Sequence, residues 1–295
     1  MIRLNIIGAG KLGRTLGRLL AVKNVFMVQD ILNRTVDSGR QAAAFIGAGR
    51  AVAGFEELRP AEWHLIATAD DRIEYCATNL ASAGILRPGD AIFHCSGYLP
   101  STILAVPSAR GVLTASLHPL RSFAEPETAA KNFVGTNCAL EGNSEVLARL
   151  EAAVMAIGGV PFLIESSKKA VYHAAAVLSS NGLTSLLQAA VEAWAEAGLT
   201  EEQALRISEP LVRNTVDNIY RIGPLKALTG PVVRGDRDVV AGEMEALGAW
   251  KPEIRELYRL LGAFALEMAR RRTLGTESLA ELEDLLTGRP ERTGE

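Results

Sequence analysis

The six residues Gly8-Ala9-Gly10-Lys11-Leu12-Gly13 constrain this chain more than any other feature, because of what flanks them. Before them lies the apolar run Leu4 to Ile7, and after them Lys11 to Ala21 carries apolar residues at three-to-four spacing. A strand that turns on glycines straight into a helix opens a βαβ unit. Gly8 permits the tight turn, Gly10 lets a pyrophosphate approach the backbone, and Gly13 lets helix and sheet touch. The helix start adds free N–H groups for an anion. The turn as a whole, Gly8, Ala9, Gly10, Lys11, Leu12 and Gly13, is therefore the expected phosphate-binding element of a dinucleotide site.

The same rhythm continues. Short β-rich runs at Val25 to Leu32, His64 to Thr68, Ala91 to His94, Gly111 to Ser116 and Asn137 to Leu140 alternate with helical patterns at Thr35 to Gly47, Ile73 to Ala83 and Ser144 to Ile157. This predicts an α/β domain with a doubly wound parallel sheet over residues 1–165. From 166 to 295 the β signal fades into helical patterns at Ser167 to Ala197, Glu201 to Tyr220, Arg237 to Trp250 and Pro252 to Arg272, so the second domain is expected to be all-α. Arg289 to Glu295 reads as a frayed polar tail. A length of 295 residues suits two domains.

The formal net charge of -3 offers no basic excess for nucleic acid or an anionic membrane, so a small-molecule partner is expected. Met1 leads into Leu4 to Ile7 without a cleavable signal, and no uncharged apolar stretch reaches the roughly 20 residues that span a bilayer. Cys76, Cys95 and Cys138 are scattered and odd in number, which fits a reducing cytoplasm. No two histidines have metal-ligand spacing, so no metal is expected.

Which dinucleotide is bound turns on the end of the second strand, where an acid bonds a ribose 2′-hydroxyl and repels a 2′-phosphate. That position reads Asn33-Arg34-Thr35. Arg34 can pair with the phosphate while Asn33 and Thr35 donate hydrogen bonds, so NADP(H) is the expected cofactor. Asp30 is the competing residue and would favour NAD if the strand ended sooner. After the strand at His64, Ala69 and Asp70 are placed beside the nicotinamide, with helix capping by Asp70 and Asp71 the favoured competing reading.

Two further clusters carry polar chemistry. Ser96-Gly97 and His118-Pro119-Leu120-Arg121-Ser122 follow strands at the carboxyl edge, where open sheets bind ligands, although loop turns and a bonded structural histidine explain them equally well. Lys168 to Asn181 has helical periodicity that puts Lys169, His173, Ser180 and Thr184 on one stripe with Asn181 at its margin. The other faces are crowded with Ala, Val and Leu, so this helix should bury most of itself and its polar stripe should line a cavity, or else form a capped start with a core histidine. His64 and His94 lie within strands and read as structural.

These motifs, together with Thr229-Gly230-Pro231-Val232-Val233-Arg234-Gly235-Asp236, resemble a family of Rossmann-like oxidoreductases with an uncharacterised helical C-terminal domain. Its distant relatives are ketopantoate reductase, pyrroline-5-carboxylate reductase and 6-phosphogluconate dehydrogenase. The resemblance implies a Rossmann domain followed by a helical domain of the 6-phosphogluconate dehydrogenase C-terminal type, NADP dependence, and a homodimer formed through the helices. It further implies that Lys169 donates a proton and that Asn181 binds substrate. Glu243 stands where many relatives are expected to have histidine, which leaves the role of that helix, like that of Asp236, open. The leading expectation is an NADPH-dependent reductase of a small 2-oxo acid, with 2-ketopantoate of pantothenate synthesis implied by family alone. Lys169 would donate the proton, His173 would tune or relay it, and Ser96, Gly97, His118, Asn181 and Arg234 would hold the carboxylate between the domains. A prephenate-type dehydrogenase, suggested by His118-Pro119, an imine reductase, and a non-catalytic NADP(H) sensor are the alternatives.

Overall fold

The computed structural model describes residues 1–272 and 277–287, so the polar tail expected at Arg289 to Glu295 lies outside the described residues. By Cα packing the chain divides into two compact units, Met1–Ser180 and Asn181–Glu295. The expected boundary lay at 165/166, fifteen residues earlier, before the helix that begins at Lys169.

The first unit is an eight-stranded sheet built in chain order from β1 (Arg3–Ile7), α1 (Lys11–Val22), β2 (Met27–Leu32), α2 (Val36–Ile46), β3 (Arg50–Val52), β4 (Trp63–Ile66), α3 (Ile73–Ser82) and β5 (Ala91–His94). The short α4 (Ala105–Ser108), β6 (Leu113–Pro119), α5 (Pro126–Lys131), β7 (Asn137–Gly142), α6 (Ser144–Ala156), β8 (Val160–Leu163) and α7 (Lys169–Val177) complete it. The strand order is β3-β2-β1-β4-β5-β6-β7-β8. All neighbours run parallel except β6 and β7, which pair antiparallel from Ala115↔Gly142 to Pro119↔Cys138. Two strands escaped the sequence pattern, β3 and β8, because three or four residues carry too little periodicity and β8 contains Pro161.

Both faces of the sheet are buried, as parallel sheets require. Leu4, Ile6, Trp63, Leu65 and Phe93 pack on one side beneath Leu16 and Leu20 of α1 and Leu150 of α6. Ile7, Ile66 and Ile92 pack on the other beneath Ile73 and Leu80 of α3. The alternation comes from the two-residue period of the strands. Chain order reverses between β1 and β4, which makes their carboxyl ends a topological switch point, the place where such sheets bind ligands.

A π-helical segment, Leu178–Gly182, follows α7. The second unit is helical: α8 (Leu183–Glu196), α9 (Glu201–Ile222), the short α10 (Pro224–Ala227) and α11 (Pro231–Arg234), α12 (Arg237–Trp250), α13 (Pro252–Arg272) and α14 (Glu277–Thr287). Thr200 and Gln203 close a capping box at the start of α9. Val240 and Met244 of α12, Leu266 and Ala269 of α13, and Leu279, Leu282 and Leu286 of α14 form its core.

Two expectations about the helix after Glu165 are corrected. Only Lys169 of α7 and Val191 of α8 are buried, while Val171 is 71% and Leu178 72% exposed. The polar stripe also fails to continue, since the π segment adds a residue to one turn and slips the 100° phase before Thr184. By length and composition the run Ser166–Glu196 is apolar enough to cross a bilayer; the expectation of no such stretch missed it because Ser179, Ser180, Asn181, Thr184, Ser185 and Gln188 interrupt the apolar residues, although residues 170–191 carry no Asp, Glu, Lys or Arg.

Candidate functional site

The glycine turn sits at the switch point. Gly8 has φ +86 and its N–H bonds to Leu32 O at 2.8 Å; a Cβ there would lie 2.5 Å from Thr68 Cγ2 at the end of β4. At Gly13 a Cβ would come within 2.6 Å of Gly8 O, whereas at Gly10 it would meet nothing within 4 Å. Two glycines are thus required by packing, and the one between them leaves the backbone open on its outer side. Gly10 begins α1 with no side-chain cap, and no acidic residue occupies the first turn. The hydroxyl of Thr68, buried beside this turn, has only the Cys76 thiol beside it and no well-formed hydrogen bond. An open approach and an uncapped helix start together fit a bound pyrophosphate.

At the end of β2 the structure separates the two competing residues. Asp30 is fully buried, and its carboxylate accepts from Arg50 Nε at 3.0 Å and from Arg59 Nη2 at 2.7 Å and backbone N at 2.9 Å. Burial alone would raise its pKa, but the two arginines outweigh it and hold the carboxyl below the usual range. Asp30 is therefore committed to an ion-pair network. Arg34 is exposed at the tip of the strand. Asn33 and Thr35 do less than expected for a cofactor: Asn33 Oδ1 accepts from Ala9 N at 2.7 Å, bracing the glycine turn, and Thr35 accepts from Ser38 N as the cap of α2.

Along the same sheet edge, Asp70 and Asp71 cap no helix, contrary to the favoured reading. Asp70 Oδ2 instead accepts from Ser96 Oγ at 2.8 Å. Ser96 Oγ in turn accepts from the N–H groups of Tyr98 (3.1 Å) and Leu99 (2.8 Å), so this hydroxyl is saturated by its own loop and is not available to a substrate carboxylate. His94 is structural as expected, with Nε2 3.3 Å from Pro100 O and Nδ1 accepting from Ser96 N at 3.2 Å; burial pushes its pKa down to about 4.

The rings gather at Gly97. A Cβ there would meet His173 Cδ2 at 2.4 Å and His118 Nε2 at 2.7 Å, so both imidazoles lie against the bare backbone. His118, near the end of β6, has Nδ1 2.9 Å from the Tyr172 hydroxyl, and its ring centroid is 5.9 Å from that of His173. Tyr98, exposed, packs edge-on to His173 at 6.5 Å. Burial, then the neighbouring His173 and Lys169, lower the His118 pKa to about 4, so the ring is neutral at pH 7. Burial raises the Tyr172 pKa. The phenol is the better acid and the imidazole the better base, so Tyr172 donates to Nδ1 and the proton of His118 sits on Nε2.

Lys169 lies elsewhere in this layer. It is 1% exposed, and its Nζ donates to Ser116 Oγ and, at 3.1 Å, to Glu141 Oε1. Glu141, buried on β7, also accepts from Ser101 N (2.8 Å), Ser101 Oγ (2.8 Å) and Ser166 Oγ (2.6 Å). Burial would raise the Glu141 pKa, but Ser166, Lys169 and Ser101 hold it down at about 2; burial also lowers that of Lys169 against the pull of Glu141.

Residues 1–119 match the Rossmann-like domain model, and residues 136–264 match the domain of unknown function DUF2520. The chain is a Rossmann-like domain joined to a DUF2520 domain. A Thermotoga maritima protein of known crystal structure is 29% identical, with a TM-score of 0.72 over 91% of this chain and 99% of that one. A Bacteroides fragilis protein, provisionally named an NADP oxidoreductase, is 22% identical with a TM-score of 0.70 over 90% and 98% of the two chains. The reductive aminase of Aspergillus terreus, solved in complex with NADPH and ethyl levulinate, is 15% identical with a TM-score of 0.62 over 96% and 99%. No protein of curated function matches the sequence.

The ring cluster is assembled from both halves: Gly97 and His118 come from the Rossmann-like domain, Tyr172 and His173 from the DUF2520 domain. Of the other expected substrate residues, Asn181 belongs to the second unit, exposed in the π segment, and Arg234 pairs there with Asp236 at 2.7 Å. Glu243 accepts from the Tyr258 hydroxyl. Sequence reasoning missed Glu141 and gave Tyr172 no role. The signal for Glu141 was available, because a glutamate directly after an apolar strand run is buried only if paired. Tyr172 left none, since a tyrosine on a helix is ordinary core.

Proposed function

We infer that this protein is an NADP(H)-dependent oxidoreductase that reduces a C=O or C=N bond of a small carboxylate substrate. The observation that carries this reading is the sequestration of Asp30 by Arg50 and Arg59, which removes the acid that would select NAD and leaves Arg34 as the charged group at the strand tip. The names of the Bacteroides fragilis and Aspergillus terreus relatives support the same class. The glycine turn and the N-terminus of α1 would hold the pyrophosphate, and Arg34 the 2′-phosphate. Bound NADPH supplies the hydride.

On the protein side, neutral His118 presents Nε2–H at the sheet edge, oriented by Tyr172. A neutral imidazole can polarise a carbonyl or imine without giving up its own proton. His173, half-buried beside it, is the group with a route to solvent and delivers the proton that the reduced oxygen or nitrogen takes up. Asn181 and Arg234 remain the proposed carboxylate ligands, and a 2-oxo acid such as 2-ketopantoate the proposed substrate. A second copy of the chain is proposed to cover the exposed Val171, Leu178, Leu186, Leu205 and Leu211, making a homodimer in the cytoplasm.

The test is NADPH binding by titration followed by oxidation at 340 nm against 2-oxo acids, including 2-ketopantoate, and cyclic imines. Saturable oxidation of one compound establishes the class. Preference for NADH over NADPH, or tight NADPH binding without oxidation of any compound, overturns it, the latter in favour of a cofactor sensor.

A further inference from the structure

The buried ion pair stands apart from the ring cluster yet touches every element that carries it. Ser116 lies on β6 two residues before His118. Ser101, whose N–H and hydroxyl both donate to Glu141, begins the turn that follows Ser96, Gly97 and Tyr98. Ser166 and Lys169 bracket the start of α7, the helix of Tyr172 and His173. Four hydrogen bonds converge on the two oxygens of Glu141, one of them from Lys169, and Lys169 adds a second bond to Ser116. Two of the three Nζ donors are committed in this way, and the side chain is 1% exposed.

A cation in the first turn of a helix opposes the helix dipole, so the position costs stability unless a partner offsets it. Here Glu141 does so from β7, and the pair is tolerated because Glu141 accepts four hydrogen bonds and Lys169 donates two. We propose that Lys169 is a positioning residue: by joining Glu141 and Ser116 it pins the first turn of α7 to β6, β7 and the Gly97 loop, and so sets Tyr172 and His173 against His118. The proton in the reaction then comes from the histidine cluster and not from the lysine, a conclusion that rests on the reductase reading.

The experiment compares the full-length wild type, Lys169→Met, and the paired Lys169→Met/Glu141→Gln variant, which removes both charges and leaves no stranded carboxylate. The first readout needs no substrate. With only four histidines in the chain, ¹⁵N-histidine spectra resolve the tautomer of His118. Groups bearing on that ring are Lys169, Tyr172 and His173 from α7 and Asp70 from the end of β4. The single variant is expected to lose the fixed Nε2–H tautomer and the paired variant to regain it. An unchanged His118 signal in Lys169→Met overturns the proposal. Should that variant fail to fold, Ser116→Ala, which removes one bond and strands no charge, takes its place with the same expected loss.

The second readout is NADPH oxidation. A positioning role predicts that the single variant falls about 100-fold or more in kcat/KM and that the paired variant returns to within about 10-fold of wild type, a strong non-additivity. A paired variant with a restored His118 signal and turnover still down 1000-fold or more makes Lys169 the proton donor and refutes the assignment. If wild type turns over none of the compounds, the reductase reading fails, while the spectra still decide whether Lys169 positions the cluster.

Discussion

His64 is a liability that the fold carries at its centre. It lies on β4 between Asn5 of β1 and Ile92 of β5, fully buried, with a weak backbone interaction with Ala61 and no well-formed hydrogen bond at either ring nitrogen. Burial pushes its pKa from 6.5 down to about 4. The sign follows directly. As pH falls below 6.5 the unfolded chain takes up a proton that the folded ring refuses until about pH 4, so stability drops across that window. With those two values the loss between pH 7.5 and pH 4.5 is about 2.5 kcal/mol from this residue alone. Leucine is similar in volume and shares the apolar surroundings of Ile66 and Ile92, so His64→Leu removes the titration and, at neutral pH, relieves poorly satisfied ring nitrogens, worth about 1–3 kcal/mol. Urea unfolding followed by tryptophan fluorescence, with Trp63 in the same strand, is measured for both proteins at the two pH values. The variant is expected to be more stable at pH 7.5 and to widen its lead by about 2–3 kcal/mol at pH 4.5. Equal differences at both pH values would show that His64 is not held neutral and would sink the reasoning.

Three further outcomes are expected. Arg34→Ala should weaken NADPH binding about 10- to 100-fold, the worth of one or two charge-assisted bonds, with NADH binding unchanged by calorimetry; equal weakening of both would remove Arg34 from the 2′-phosphate. Gly97→Ala places a methyl 2.4 Å from His173 Cδ2, so the rings must swing away, and kcat should drop about 100-fold with the NADPH Kd within twofold of wild type. Wild-type kcat in that variant would detach the ring cluster from the chemistry. Leu178→Glu together with Leu186→Glu should convert a dimer to monomer in light scattering, and a monomeric wild type would dispose of the proposed second copy.

Much of the α/β half was legible because its signals are local. The Gly8 to Gly13 turn, the β1 and α1 patterns around it and the strand at Ala91–His94 each follow from residue spacing over a few positions. The antiparallel direction of β7 was not, since a strand's own pattern is the same in either direction and only its partner fixes which is used. The site shows the same division. Arg34 and Asp30 were weighed as the competing residues, yet whether Asp30 is free depends on Arg50 and Arg59, residues 20 and 29 positions away from it that no local pattern links to it.

Lys169 is the sharpest instance of that limit, and it bears on how the two matched domains work together. A helical period correctly places Lys169 and His173 one turn apart, but a shared stripe does not give a shared role. Lys169 is enclosed by Ser116 and Glu141, whereas His173 is half-buried against Gly97. The difference arises because α7 meets the sheet edge at its first turn and leaves it after His173, beyond which Ala174, Ala175, Val177 and Leu178 are exposed. One helix start therefore serves as an anchor in its first residue and as a wall of the ring cluster four residues later. The Rossmann-like domain alone holds His118 with no partner for its Nδ1, and the DUF2520 domain alone holds Tyr172 and His173 with nothing to face. On this argument any chemistry the cluster performs belongs to the joined chain, and the Lys169–Glu141 pair, itself within the DUF2520 match, ties the two together through Ser101 and Ser116 of the Rossmann-like match.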